Sequence, residues 1–253
     1  MKGKHLRNSR KNIIIFLLIL IVLLIIILVN KINTYKPNSK SVLEDIIIDE
    51  KQITETITER MLKVKELKRT VNKEIVGWLE IENTKINFPV VQGVDNDYYI
   101  RHDYKNEYSF DGAIFLDKSF NWNKPSNNYL IYGHNNKNGN MFQDLLNYKE
   151  KSYYLEHPTI RFTTVDDDSE YEIISIFLSR VYYKSEKNVF RYYYFIDAKN
   201  EEEYNSFVRE CKNASLYDTG KTAEYGDQLL TLSTCEYSQE DGRFVVVARK
   251  KTN

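Results

Sequence analysis

Nine short runs rich in β-branched and aromatic residues, each closed by polar or turn-forming residues, limit the possible folds more than any other feature of this chain. They fall at 77–81, 86–91, 112–116, 129–132, 159–164, 171–179, 192–196, 228–234 and 244–249. Only one long stretch of helical spacing interrupts them, at 201–214, where Tyr204, Phe207, Val208 and Cys211 recur every three or four residues. Parallel strands need a crossover each, usually helical, and those crossovers are not there. The pattern therefore predicts a mainly β domain closed, or nearly closed, into a barrel, which leaves no unpaired edges. Asn83-Thr84 reads as a turn, making the first two runs a hairpin, and Pro89 assigns the second run to an edge or a bulge. Short helices are expected at 97–101 and 141–146.

The N-terminus sets the location. Residues 13–29 form an unbroken apolar run of 17 residues, the lower limit for a helix crossing a bilayer. Lys2, Lys4, Arg7, Arg10 and Lys11 precede it without an acid, so the positive-inside bias keeps the head, residues 1–12, in the cytoplasm and everything after residue 30 outside. A cleaved signal peptide is the competing reading. The exit Leu28-Val29-Asn30-Lys31-Ile32 offers no small-x-small cleavage pattern, which favours an uncleaved anchor.

Residues 30–41 read as a polar tether. From 42 to 73, Ile46, Ile53, Ile57, Met61, Val64, Leu67 and Val71 follow helical spacing, giving one long or two shorter amphipathic helices whose apolar face covers the following domain, 74–253. The chain has 36 basic and 36 acidic residues; without the five N-terminal cations, 31 basic remain against 36 acidic. A nucleic-acid partner is disfavoured, because phosphate binding needs a concentrated basic face.

Three residues carry chemistry. Thr231-Leu232-Ser233-Thr234-Cys235 ends one apolar run with a thiol, and Arg243 opens the next with a permanent cation, so neighbouring strands bring the two together. In Tyr129-Leu130-Ile131-Tyr132-Gly133-His134-Asn135-Asn136 a histidine leaves another run at a glycine. Cys, His and Arg at three strand ends suggest thiol-based acyl transfer. The thiol attacks a carbonyl only as thiolate, a cationic neighbourhood favours that form, and a protonated His134 gives its proton to the leaving amine. Arg243 cannot be the acid, but its fork of donors suits an oxyanion or a peptide carbonyl. The backbone N–H of Glu236 is the natural second oxyanion donor.

Each residue also has a plainer explanation. Cys235 is a small apolar plug or a disulfide partner of Cys211, His134 a loop histidine like His102 and His157, and Arg243 an edge-strand charge. Taken together the three favour a site over a core. Cys211 reads as a buried thiol on the 201–214 helix. Metal and cofactor sites are not expected: there is no CxxC, HExxH or phosphate-cradling loop, and Asp166-Asp167-Asp168 reads as a solvated turn.

The TLSTC run followed by a strand opening on Arg243, the preceding YGHN, and Gly77-Trp78-Leu79-x-Ile81 with Phe88-Pro89-Val90-Val91-Gln92 together resemble the sortases over residues 74 to 251. Class B is the nearest likeness, carried by Asp97-Tyr98-Tyr99, Gly112-Ala113-Ile114-Phe115-Leu116-Asp117, His134-Asn135-Asn136, Gly139-Asn140-Met141-Phe142, the N-terminal amphipathic helices and the helix ahead of the cysteine strand. The resemblance implies a closed eight-stranded sortase-type β-barrel and transpeptidation at the outer face of a Gram-positive membrane. It implies Cys235 as nucleophile, His134 as general acid then base, Arg243 as substrate and oxyanion stabiliser, and Ser233 and Thr234 as substrate contacts. The implied substrates are surface proteins with a C-terminal sorting signal of the NPxTN or NPxTG kind, cut after threonine through a thioester and passed to a peptidoglycan amine. No cofactor is implied, and no acid is singled out as partner of His134 among Glu236, Glu240 and Asp241. A membrane-anchored peptidase that only hydrolyses, and a non-catalytic surface ectodomain, are the rival readings.

Overall fold

The computed structural model describes Ile21, Leu24 and Ile25, residues 39–136 and residues 140–252. The basic head, the expected anchor at 13–29 apart from those three residues, and the tether up to residue 38 lie outside the described residues. Among the described residues no helix is long and apolar enough to cross a membrane. The chain divides into two units, 1–56 and 57–253, and the second holds every strand.

Eight strands close into a barrel: β1 (Ile75–Glu80), β2 (Asn87–Val91), β3 (Ile114–Leu116), β4 (Asn128–Tyr132), β5 (Thr159–Thr163), β6 (Asp168–Arg180), β7 (Leu229–Cys235) and β8 (Gly242–Lys250). Their order around the barrel is β1-β2-β3-β4-β7-β8-β6-β5, with β5 returning to β1. The β2–β3 and β4–β7 pairs are parallel and the rest antiparallel. Pro89 is tolerated because it pairs with Trp78 of β1 while the β2–β3 ladder starts only at Val90, where a backbone N–H is available.

Strand β8 shows why its sequence is continuously apolar. Phe244, Val246 and Ala248 join residues from every other strand in the barrel interior, whereas Val245 and Val247 face a second cluster outside it. That outer cluster is capped by Tyr204, Phe207, Val208 and Cys211, the apolar stripe predicted at helical spacing, on helix α3 (Glu201–Ala214); α1 (Ser39–Thr70) and the short α2 (Lys151–Glu156) precede it in the chain. The start of α3 is held by Asn200, whose side chain accepts from the Glu203 N–H, and Glu201, Glu202 and Glu203 meet the positive end of its dipole.

Helix α1 is a single helix, beginning three residues before the expected start at 42. In its part from Ile57 onward, Val64 is buried against Ile75, Val91, Tyr99, Ala113 and Phe115, a burial that contributes about 1.5 kcal/mol or more. Arg60 Nη2 reaches Asp168 at 2.7 Å, and Lys63 Nζ lies 3.7 Å above the Trp78 ring. Val71, expected on the apolar face, is exposed because the helix has ended at Thr70.

Two further expectations are corrected. The run 192–196 is not a strand: Tyr192–Tyr194 forms a 3-10 turn, because a closed barrel has no free edge to pair with a ninth strand. The short helices expected at 97–101 and 141–146 are present as 3-10 helices, Tyr98–Ile100 and Gln143–Lys149. Asp168 is not in a solvated turn. Its side chain is buried at the start of β6 and accepts from Arg60, Arg161 and Thr163.

The run at 112–116 loses its first two residues because Gly112 has φ +61°, outside the strand region. A Cβ there would lie 2.5 Å from the Tyr99 carbonyl oxygen. Gly112→Ala is expected to cost about 1–2 kcal/mol for the backbone conformation alone, with the clash adding to it. Urea unfolding monitored by tryptophan fluorescence measures the loss, and an unchanged midpoint would refute this account.

Candidate active site

The parallel pairing of β4 with β7 sets Tyr132 opposite Ser233, so the residues leaving β4 run alongside the end of β7. Gly133 N–H donates to the Ser233 carbonyl at 3.2 Å, and Thr234 Oγ1 donates to the Gly133 carbonyl at 2.8 Å. The close approach requires glycine, since a Cβ at Gly133 would meet Ile114 Cδ1 at 2.4 Å and Phe142 at 2.8 Å. On the other side of β7 the antiparallel register places Cys235 directly opposite Arg243. One cleft of about 480 Å³ is lined by His134, Cys235 and Arg243 together, along with Ser233 and Thr234.

Cys235 is partly exposed and its thiol is free. Cys211 is a free thiol too, so the two cysteines form no disulfide; it is buried on the inner face of α3, where desolvation pushes it well above the ordinary thiol range. His134 is half-buried, and its Nε2 lies 2.9 Å from the Ile100 carbonyl oxygen in the turn before β3. A carbonyl only accepts, so Nε2 carries a proton there and Nδ1 is the ring nitrogen left for proton exchange. Among the described residues no carboxylate bonds the imidazole; the orienting partner is a backbone carbonyl. His102 and His157 likewise bond backbone carbonyls, of Tyr98 and Glu82, away from the cleft.

Arg243 Nη1 donates to the carbonyls of Asp241 at 3.2 Å and Gly242 at 2.9 Å. Its Nε and Nη2 have no hydrogen-bond partner among the described residues, which leaves part of the fork for a ligand. Glu236 follows Cys235 directly at the end of β7. Its N–H donates to the Gly242 carbonyl at 2.9 Å, so in this structure that donor is already engaged. Its side chain is buried and pairs with Lys149 Nζ at 2.7 Å. Burial alone would raise this carboxyl; bonds from Lys149 and from the Ser238 N–H and hydroxyl outweigh it and hold the carboxyl below its usual range.

Ser233 and Thr234, expected as substrate contacts, line the cleft with their hydroxyls already engaged. Both are buried, with the Ser233 hydroxyl 2.7 Å from the Tyr192 hydroxyl and that of Thr234 on Gly133, so they build the wall. Tyr192 and Tyr132 line the same cleft, and burial raises both phenols above their ordinary range, keeping them neutral donors. Asn96, Asp97 and Tyr193 also line the cleft, and the sequence reading assigned none of them to the site. Among the described residues no group of His, Cys, Asp and Glu is arranged to hold a metal ion.

A family model for the sortase domain matches residues 79–251. Sortase B of Listeria monocytogenes is 34% identical over 184 residues, 72% of each chain. Sortase B of Staphylococcus aureus is 33% identical over 181 residues, 71% of each. The solved Staphylococcus aureus sortase B–substrate complex superposes with a TM-score of 0.66 at 26% identity, covering 81% of this chain and 99% of that one.

Proposed function

The chain belongs to the sortase family and is a cysteine transpeptidase of the sortase B type, and from that premise we propose that Cys235, His134 and Arg243 are its catalytic residues, acting on a C-terminal sorting signal of the NPxTN or NPxTG kind. The observation that supports this best is their convergence on one cleft from three strand ends, with Cys235 and Arg243 in register. In the first half-reaction the Cys235 thiolate attacks the threonine carbonyl carbon, and the carbonyl electrons move onto oxygen. Collapse breaks the C–N bond as His134 Nδ1 gives its proton to the departing amine, leaving a thioester. In the second half, a peptidoglycan amine attacks that thioester, His134 takes its proton, and the thiolate leaves. One amide replaces another, so no redox partner or cofactor enters the balance.

Arg243 faces the charge that develops on the carbonyl oxygen, using donors not bound to Asp241 and Gly242. The Glu236 N–H is the second donor, shared between the Gly242 carbonyl and the substrate oxygen while its peptide plane stays in place. Residues 13–29 anchor the enzyme with its N-terminus in the cytoplasm, the tether 30–41 and the helical segment 42–73 lead to the catalytic domain, 74–253, and the site works outside the membrane. Held against the wall, an amine outcompetes water for the thioester through effective concentration.

The test is incubation of the protein with a panel of fluorogenic sorting peptides, with and without a diamino acceptor. A product whose threonine is bonded to the acceptor is expected; only hydrolysed peptide, even in excess acceptor, would overturn the transfer step. Arg243→Lys is expected to lower kcat about a hundredfold, because one ammonium keeps the charge but cannot copy the planar fork. Near-normal turnover in the same assay would remove the geometric role assigned to Arg243.

A further inference from the structure

We infer that Asn135 is a positioning residue for the nucleophile, holding the Cys235–Glu236 peptide in one orientation through its side-chain amide. The inference rests on the reading of Cys235 as the nucleophile. Asn135 is 8% exposed, and its Nδ2 donates to the Cys235 carbonyl at 3.0 Å, across 100 residues of sequence. That carbonyl and the Glu236 N–H belong to one planar unit and turn together. The N–H end of the plane is held by the Gly242 carbonyl at 2.9 Å, beside Arg243. The plane that carries the nucleophile into the β7–β8 connection is therefore gripped at one end from the His134 segment and at the other from the Arg243 segment.

Three consecutive side chains divide this work. His134 reaches the Ile100 carbonyl, Asn135 the Cys235 carbonyl, and Asn136 Nδ2 reaches Asp111 Oδ1 at 2.8 Å. Only the middle one touches the nucleophile's own residue. The peptide hydrogen bonds of the β4–β7 ladder stop short of it, the last being Gly133 N–H to Ser233. Beyond that point Asn135 substitutes a side chain for a missing rung. Acylation requires the thiolate and the imidazole to hold a fixed relation, and a small misplacement of reacting groups lowers kcat far more than it lowers binding.

The test compares Asn135→Ala and Asn135→Asp with the unaltered protein, measuring kcat and KM on an NPxTN peptide and the thermal midpoint of each. Alanine removes the donor, and aspartate sets an acceptor against the Cys235 carbonyl. The expected losses in kcat are about tenfold for alanine and about a hundredfold for aspartate, with KM within about twofold and midpoints within a few degrees. If aspartate prevents folding, alanine decides by the same criteria. A kcat within twofold of the unaltered protein in the folded variants, a loss carried by KM, or a loss explained by unfolded protein would overturn the role. Cys235→Ala runs in parallel: turnover by that variant would overturn the nucleophile reading itself, whereas an inert Cys235→Ala beside a normal Asn135→Ala would overturn only the positioning role.

Discussion

Cys235→Ala is expected to abolish both transfer and hydrolysis of a sorting peptide, a loss of about 10⁴-fold or more in kcat/KM, and to leave no covalent intermediate detectable by mass spectrometry. The sulfur is the atom on which the mechanism places the acyl group, and no second accessible thiol replaces it, since Cys211 is buried on the inner face of α3 with its thiol pushed well above the ordinary range. The substitution should spare the fold. Cys235 is the last residue of β7, partly exposed, and its pairing with Arg243 runs through backbone that alanine retains. An unchanged thermal midpoint with no turnover is therefore the expected combination. Turnover above a few per cent of normal would require another nucleophile and would remove the basis of the proposed mechanism.

His134→Gln should lower amide cleavage about 10³-fold, within the usual span for loss of a general acid or base. Glutamine is the informative choice because its side-chain amide can keep a donor toward the Ile100 carbonyl, the contact made by Nε2, yet cannot carry a proton between partners. The loss should also depend on the leaving group. An amine leaves only when protonated, whereas the phenoxide of an activated ester departs as a stable anion, so acylation by an ester substrate should fall much less than acylation by the peptide. Equal losses on ester and amide would show that His134 does not act by protonating the leaving group, and the proton-transfer role would be withdrawn.

Much of the barrel was legible because strands and helices leave different periods. The outer stripe of α3 follows directly from side-chain direction and was readable residue by residue, whereas the continuous apolar run of β8 marked a strand without separating its two faces. The failures have one cause. Tyr192–Tyr194 has strand-like composition, but composition cannot report that every edge of the barrel is already paired. Asp168 looked solvated in its acidic run because folding brings the groups that bury it: Arg60 comes from α1, 108 residues away, and Arg161 from the paired strand β5. The engagement of the Glu236 N–H by Gly242, and of the Ser233 and Thr234 hydroxyls by Tyr192 and Gly133, was equally invisible.

Residue types and their spacing were enough to indicate the kind of chemistry and the kind of fold: a thiol, an imidazole and a guanidinium at strand ends of a helix-poor β domain with the residue patterns of a sortase. Tertiary structure alone decided that Cys235 and Arg243 sit in register and that a parallel neighbour brings His134 to the same cleft. It also decided that a backbone carbonyl, not a carboxylate, orients the imidazole. The reason is physical: side-chain identity and local period are written along the chain, whereas pairing register and hydrogen-bond partners depend on which segments closure of the barrel brings together.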